Sequence, residues 1–81
     1  MATRAEPLLR LYGRANCPLC EEMADALRGL GVAFTEIDVD ADPALAARFG
    51  RIVPVLADGE GREVCHARLD LQALRARLAL E

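Results

Sequence analysis

Between residues 8 and 39 the apolar pattern changes its period twice, and this change restricts the possible fold more than any other feature of the chain. Leu8-Leu9-Arg10-Leu11-Tyr12 is a short apolar run stopped by Gly13, the pattern of a buried strand. Leu19, Met23, Ala26, Leu27 and Leu30 then recur at helical spacing, with Glu21, Glu22, Asp25 and Arg28 on the other faces. Pro18 suits the first helical position, where its missing N–H leaves no bond unmade, and Gly29 and Gly31 end the helix. Val32 to Val39 mixes β-branched and aromatic residues with acidic ones and reads as a second strand, Phe34 and Ile37 inward. A strand–helix–strand unit implies a right-handed crossover and a parallel pair.

The rest of the chain adds to this unit. Asp42 is an N-cap with Pro43 after it, opening a short helix from Ala44 to Phe49 that ends at Gly50. Ile52 to Ala57 is apolar and β-branched, with Pro54 near its start, where a strand tolerates proline. Asp58-Gly59-Glu60-Gly61 reads as a hairpin loop, and Arg62 to Ala67 returns as a fourth strand. A hairpin symmetric about Gly59-Glu60 sets Cys65 opposite Pro54. Asp70 caps a last helix whose Leu71, Leu74 and Leu78 form one stripe. The order β-α-β-α-β-β-α predicts an α/β fold, a four-stranded mixed sheet flanked by three helices, in one domain over residues 1–81.

Composition narrows the function classes. At 81 residues the core must be efficient, and the apolar content of 53% supports one. All ten basic residues are arginine, scattered rather than aligned with aromatics, and the net charge is −3, which argues against nucleic acid as a partner. The first residues carry no apolar signal core, and no apolar run approaches a membrane span. We therefore expect a cytoplasmic protein, a monomer, without a membrane partner. Three cysteines in a reducing compartment do not suggest a permanent disulfide framework, and an odd count leaves one unpaired.

Two of the three cysteines form Cys17-Pro18-Leu19-Cys20, after a strand and at the mouth of a helix. The pair is open to reading as reactive thiols, as part of a metal site or as a plain disulfide. Position favours the first. A helix N-terminus presents free N–H groups and the positive end of the macrodipole, both favourable to a thiolate. Cysteine pKa falls in such places and near cations, and Arg14 stands three residues before Cys17. Glu21 and Glu22 oppose the effect, but helical geometry turns them away from Cys17. Cys17 should be the exposed nucleophile, with Arg14 stabilising its thiolate, and Cys20, inside the helix, the resolving thiol. A metal set would have to draw in Cys65 and His66, whose side chains, adjacent on a strand, point to opposite faces. Cys65 reads as a small buried residue, His66 as a surface or rim side chain and Tyr12 as core.

The stretch Leu11-Tyr12-Gly13-Arg14-Ala15-Asn16-Cys17-Pro18-Leu19-Cys20, followed later by Val53-Pro54, resembles the glutaredoxin branch of the thioredoxin superfamily. The resemblance runs from Leu8 to the last helix. It implies a minimal thioredoxin fold, a cis Val53–Pro54 bond, and a Val53 backbone that pairs with an extended substrate. By the same resemblance Leu19, Val53, Pro54 and Asp70 are substrate-binding residues. Two departures accompany it. Leu19 stands where glutaredoxins usually carry Tyr or Phe, and His66-Ala67-Arg68-Leu69-Asp70 lacks the Gly-Gly pair that precedes the Asp which clamps glutathione. The expected function is thiol–disulfide exchange on a disulfide-containing protein or a small thiol substrate, with no tightly bound cofactor and with electrons from glutathione or a thioredoxin-type reductase. The alternative is a non-enzymatic module: a metal or iron–sulfur cluster carrier, a cluster shared between chains through Cys17 included, or a glutathione site without turnover.

Overall fold

The computed structural model describes residues 9–80; Leu8 and the N-terminal segment considered above as a signal lie outside them. The strands are β1 (Leu9–Gly13), β2 (Phe34–Asp38), β3 (Val55–Asp58) and β4 (Glu63–His66), and the helices α1 (Pro18–Gly29), α2 (Pro43–Phe49) and α3 (Leu71–Leu80). They form one four-stranded sheet in the order β2-β1-β3-β4. β1 runs parallel to β2, with Tyr12 beside Ile37, and antiparallel to β3, with Tyr12 beside Val55.

Alternation along the strands feeds two apolar layers. Leu9, Leu11, Leu56 and Cys65 join Met23, Ala24 and Leu27 of α1 and Leu74 of α3 on one face. Tyr12, Val55 and Ala57 join Phe49 of α2 and Val39 on the other. There the Tyr12 and Phe49 rings pack with centroids 4.6 Å apart. Because both faces are covered, every residue of β3 is buried. Phe34 and Ile37 are both directed inward, but against opposite layers, as their odd spacing requires.

Several expectations need correction. The buried face of α1 is Cys20, Met23, Ala24 and Leu27. Leu19 and Leu30 are exposed, because a helix turns about 100° per residue and Leu19 lies one such step off the face that meets the sheet. β2 stops at Asp38: its carboxylate accepts the Asp40 N–H and turns Val39–Ala41 into a short 3-10 helix that buries Val39. Leu71 occupies the first helical position of α3 and is exposed, so the buried stripe starts at Leu74.

The hairpin register also differs. Leu56 faces Cys65, Val55 faces His66 and Ala57 faces Glu63, with an irregularity between Leu56 and Ala57 that places an extra residue on β4. Cys65 therefore lies opposite Leu56, not Pro54. The turn is built on the buried Asp58, whose carboxylate accepts the backbone N–H groups of Glu60 and Arg62, each at 2.9 Å. The same carboxylate binds Arg62 Nε at 3.0 Å and Arg77 Nη1 of α3 at 2.7 Å. Burial alone would raise the Asp58 pKa; the backbone donors of Arg62 and Glu60 and the Arg62 guanidinium outweigh it and hold the carboxyl below its ordinary value. Among the described residues no helix is long and apolar enough to cross a membrane.

Candidate active site

The chain leaves β1 at Gly13 and reaches Cys17 through a tight loop in which Asn16 adopts a left-handed conformation (φ 58°), one that Asn tolerates better than most residues. Cys17 is the N-cap of α1. Its backbone is extended and its Sγ accepts the Cys20 N–H at 3.2 Å, in the way a Ser or Asp oxygen caps a helix. Cys17 and Cys20 are joined as a disulfide, their Cα atoms 5.2 Å apart. Cys17 is half-buried, whereas Cys20 is only 7% exposed on the sheet side of the helix.

Gly13 makes room for that buried sulfur. A Cβ on Gly13 would stand 3.1 Å from Cys20 Sγ and 3.2 Å from Cys20 Cβ. Sequence reasoning took Gly13 only as the end of a strand; its place four residues before the first cysteine was the available signal. A cleft of about 440 Å³ between α1 and β2 opens beside Gly13 and Cys20, with Glu21 and Asp38 among its walls.

Arg14 lines the same cleft, but its guanidinium is engaged by other partners. Its Nη2 and Nε hold the two Asp40 carboxylate oxygens at 2.9 and 3.1 Å, and its Nη1 donates to the Gly50 carbonyl at 2.9 Å. The Asp40 hydrogen bonds and charge raise the Arg14 pKa above its ordinary value. Among the described residues, the hydrogen-bond partners of Arg14 are Asp40 and Gly50, not Cys17. Gly50 is a second small residue with a local purpose, since a Cβ there would come 3.2 Å from Arg14 Nη2 and 2.5 Å from the Ala46 carbonyl oxygen.

The Val53–Pro54 peptide bond is cis and Pro54 is buried. Because Tyr12 pairs with Val55, Pro54 sits at the end of the sheet from which the Cys17 loop departs. The Pro54 carbonyl accepts the Ala67 N–H at 2.8 Å, which ties the segment after β4 to the same end. Asp70 caps α3, its Oδ1 accepting the Ala73 N–H at 3.0 Å. Leu19, 40% exposed, projects from the first turn of α1. Cys65 lies in the core, where burial pushes its thiol pKa up. His66 is exposed and its Nδ1 lies 2.6 Å from a Glu63 carboxylate oxygen. The structure thus leaves Cys65 and His66 apart from the Cys17–Cys20 pair, and no group of three or more His, Cys, Asp or Glu among the described residues is arranged to hold a metal ion.

Comparison with known proteins agrees with this geometry. The family model of the glutaredoxin-like domain (DUF836) matches residues 8–79. The chain belongs to the glutaredoxin-like domain family. Two structures similar to this glutaredoxin-like chain are those of protein Ne2328 from Nitrosomonas europaea and protein XcR50 from X. campestris. The first is 36% identical, with 95% of this chain and 98% of that one covered and a TM-score of 0.78. The second is 39% identical, with 90% and 97% covered and a TM-score of 0.73. A glutaredoxin from Archaeoglobus fulgidus, 20% identical, shares the fold with a TM-score of 0.61 over 91% of this chain and 88% of its own. There is no match among curated proteins. The architecture is a minimal thioredoxin fold, and a Cys17–Cys20 pair at disulfide distance within a glutaredoxin-like domain supports a redox-type thiol function.

Proposed function

We propose that this glutaredoxin-like protein is a thiol–disulfide oxidoreductase acting on protein or low-molecular-weight disulfides. The observation that carries this reading is the position of Cys17: it caps α1 and is bonded to a buried partner one turn further on. In the reduced protein the Cys17 thiolate sits at the N-terminus of α1, where the Cys20 N–H and the helix macrodipole favour its charge. Arg14 holds the loop to Asp40 and Gly50 and adds its field to that of the helix from there.

The cycle balances without a resident cofactor. The Cys17 thiolate attacks one sulfur of the substrate disulfide, forming a mixed disulfide and expelling the other sulfur as a thiolate. Cys20 gives up its proton, for which the cleft beside it is the route to solvent, and attacks Cys17 Sγ. The substrate's second thiolate leaves and the Cys17–Cys20 disulfide remains. Two electrons from glutathione or a thioredoxin-type reductase restore the dithiol. The substrate lies as an extended segment along Val53 and the cis Pro54, beside Leu19. Glutathione binding through Asp70 needs the carboxylate to serve a ligand as well as cap α3. The working unit is the monomer and the compartment the reducing cytoplasm.

Substitution of each cysteine tests the scheme. Cys17→Ser should abolish reduction of a protein disulfide, and Cys20→Ser should accumulate a mixed disulfide visible by mass spectrometry. Full reductase activity in Cys17→Ser would remove Cys17 from the role assigned to it.

A further inference from the structure

Between α1 and the loop that joins β4 to α3, a groove of about 310 Å³ is lined by Leu19, Glu22, Met23, Ala67, Arg68 and Leu69. Leu19, Met23, Ala67 and Leu69 supply its apolar lining. Its two walls carry opposite charges, Glu22 on the helix and Arg68 on the loop between β4 and α3.

The Arg68 wall is held firmly. Ala67, a residue with a Cβ, takes a left-handed backbone conformation (φ 65°) that ordinarily favours glycine, a departure that tends to persist only where the surroundings enforce it. The enforcing contacts are the Ala67 N–H to the Pro54 carbonyl at 2.8 Å and the Arg68 N–H to the His66 carbonyl at 2.7 Å. The loop that presents Arg68 is thereby fastened to cis Pro54, at the end of the sheet that carries the reactive pair.

Arg68 also differs from most arginines of the protein. Arg14, Arg28, Arg62 and Arg77 each hold a carboxylate. Arg10 and Arg48 donate to backbone carbonyls. Arg68 is exposed and, among the described residues, has no carboxylate partner. Leu19 beside it is a large apolar side chain left 40% exposed. A guanidinium with no carboxylate partner among the described residues, next to an exposed leucine, complements a side-chain pair of one apolar and one anionic residue.

We propose that this groove receives the residues flanking the reactive cysteine of a protein substrate, an apolar side chain on Leu19 and a carboxylate on Arg68. The proposal rests on the oxidoreductase reading above and names its substrate class: proteins whose exchangeable cysteine has an apolar and an acidic neighbour. Arg68 is a specificity-determining residue, and Glu22 opposes it by repelling the same carboxylate.

The test uses two synthetic peptide disulfides that differ at one position. In one the cysteine is flanked by leucine and glutamate, and in the other lysine replaces the glutamate. The ratio of their kcat/KM values is an internal control for any change in folding or in thiol chemistry. The parent protein should prefer the glutamate peptide by about three- to fivefold, the upper end of what an exposed ion pair supplies. Glu22→Gln should raise that ratio, Arg68→Lys should largely keep it, and Arg68→Glu should invert it. A ratio near one in the parent, or a ratio that Arg68→Glu leaves unchanged, would overturn the proposal while reduction of both peptides left the oxidoreductase reading standing. Failure of the parent to reduce either peptide or bis(2-hydroxyethyl) disulfide would remove both. Concentration-dependent self-association that Arg68→Glu abolishes would overturn the proposal by making a second copy the occupant.

Discussion

Gly13 and Cys20 are packed so closely that a methyl group on the first would stand 3.1 Å from the sulfur of the second. The end of β1 is thus shaped by the need to seat a buried thiol. Gly13→Ala should force Cys20 aside by a few tenths of an ångström and destabilise the protein by about 1 kcal/mol, at the low end of overpacking costs. Thermal unfolding should show this as a fall in Tm of about 4–8 °C for a domain of this size. Disulfide formation should slow as well, read as longer-lived mixed disulfide during turnover. An unchanged Tm together with unchanged turnover would mean that the contact constrains nothing.

Asp58 offers a prediction in pH. Its carboxyl is held below the ordinary value, so the stability it contributes is present in full above about pH 4 and is lost as pH falls through the folded-state value. Asp58→Ala leaves Arg77 and two backbone N–H groups without their acceptor and should cost about 3 kcal/mol at neutral pH. Asp58→Asn should cost less, since an amide oxygen still accepts from the backbone. Both variants should flatten the acid side of the stability curve, measured by urea unfolding across pH.

Cys17 and Cys65 should separate cleanly toward an alkylating agent. In the reduced protein at neutral pH, Cys17 should react first and Cys65 last, because Cys65 is buried and its pKa is raised. Peptide mapping after timed treatment with iodoacetamide checks the order. The raised pKa also means that the folded state loses stability as pH rises from the ordinary thiol value, about 8.5, through the folded-state one. Cys65→Ala should remove that alkaline decline.

Arg14 tests how much of the thiolate's stability comes from the helix alone. With its guanidinium engaged by Asp40 and Gly50, Arg14→Gln should move the pH profile of Cys17 alkylation only slightly. Asp40→Asn should shift that profile to lower pH, because it removes an anion and leaves the Arg14 charge uncompensated. A large upward shift in Arg14→Gln would restore a direct role for the guanidinium at the sulfur.

The order of elements and the placing of the Cys17–Cys20 pair were legible because both depend on local signals: period changes, proline at a helix start, glycine at its end. What escaped was set by contacts distant in sequence. A symmetric hairpin sets Cys65 opposite Pro54, but the carboxylate of Asp58 builds a turn whose partner strand carries an extra residue, and loop composition does not reveal that. Leu19 belongs to a plausible apolar stripe; the buried face is chosen by which side can bring Cys20 against Gly13. Arg14 is suitably spaced from Cys17 in sequence, yet an aspartate 26 positions away claims its fork.

The two features that most define this protein lie at opposite ends of the same central strands. Tyr12 and Val55 mark the end where the disulfide sits, and Leu9 and Asp58 mark the end where the hairpin is fastened to α3. The bond that the proposed cycle makes and breaks is therefore not the one that fastens the hairpin to α3. The frame is anchored remotely, and in the proposed cycle both redox forms share it, so a substrate disulfide and a reductant would meet the same surface.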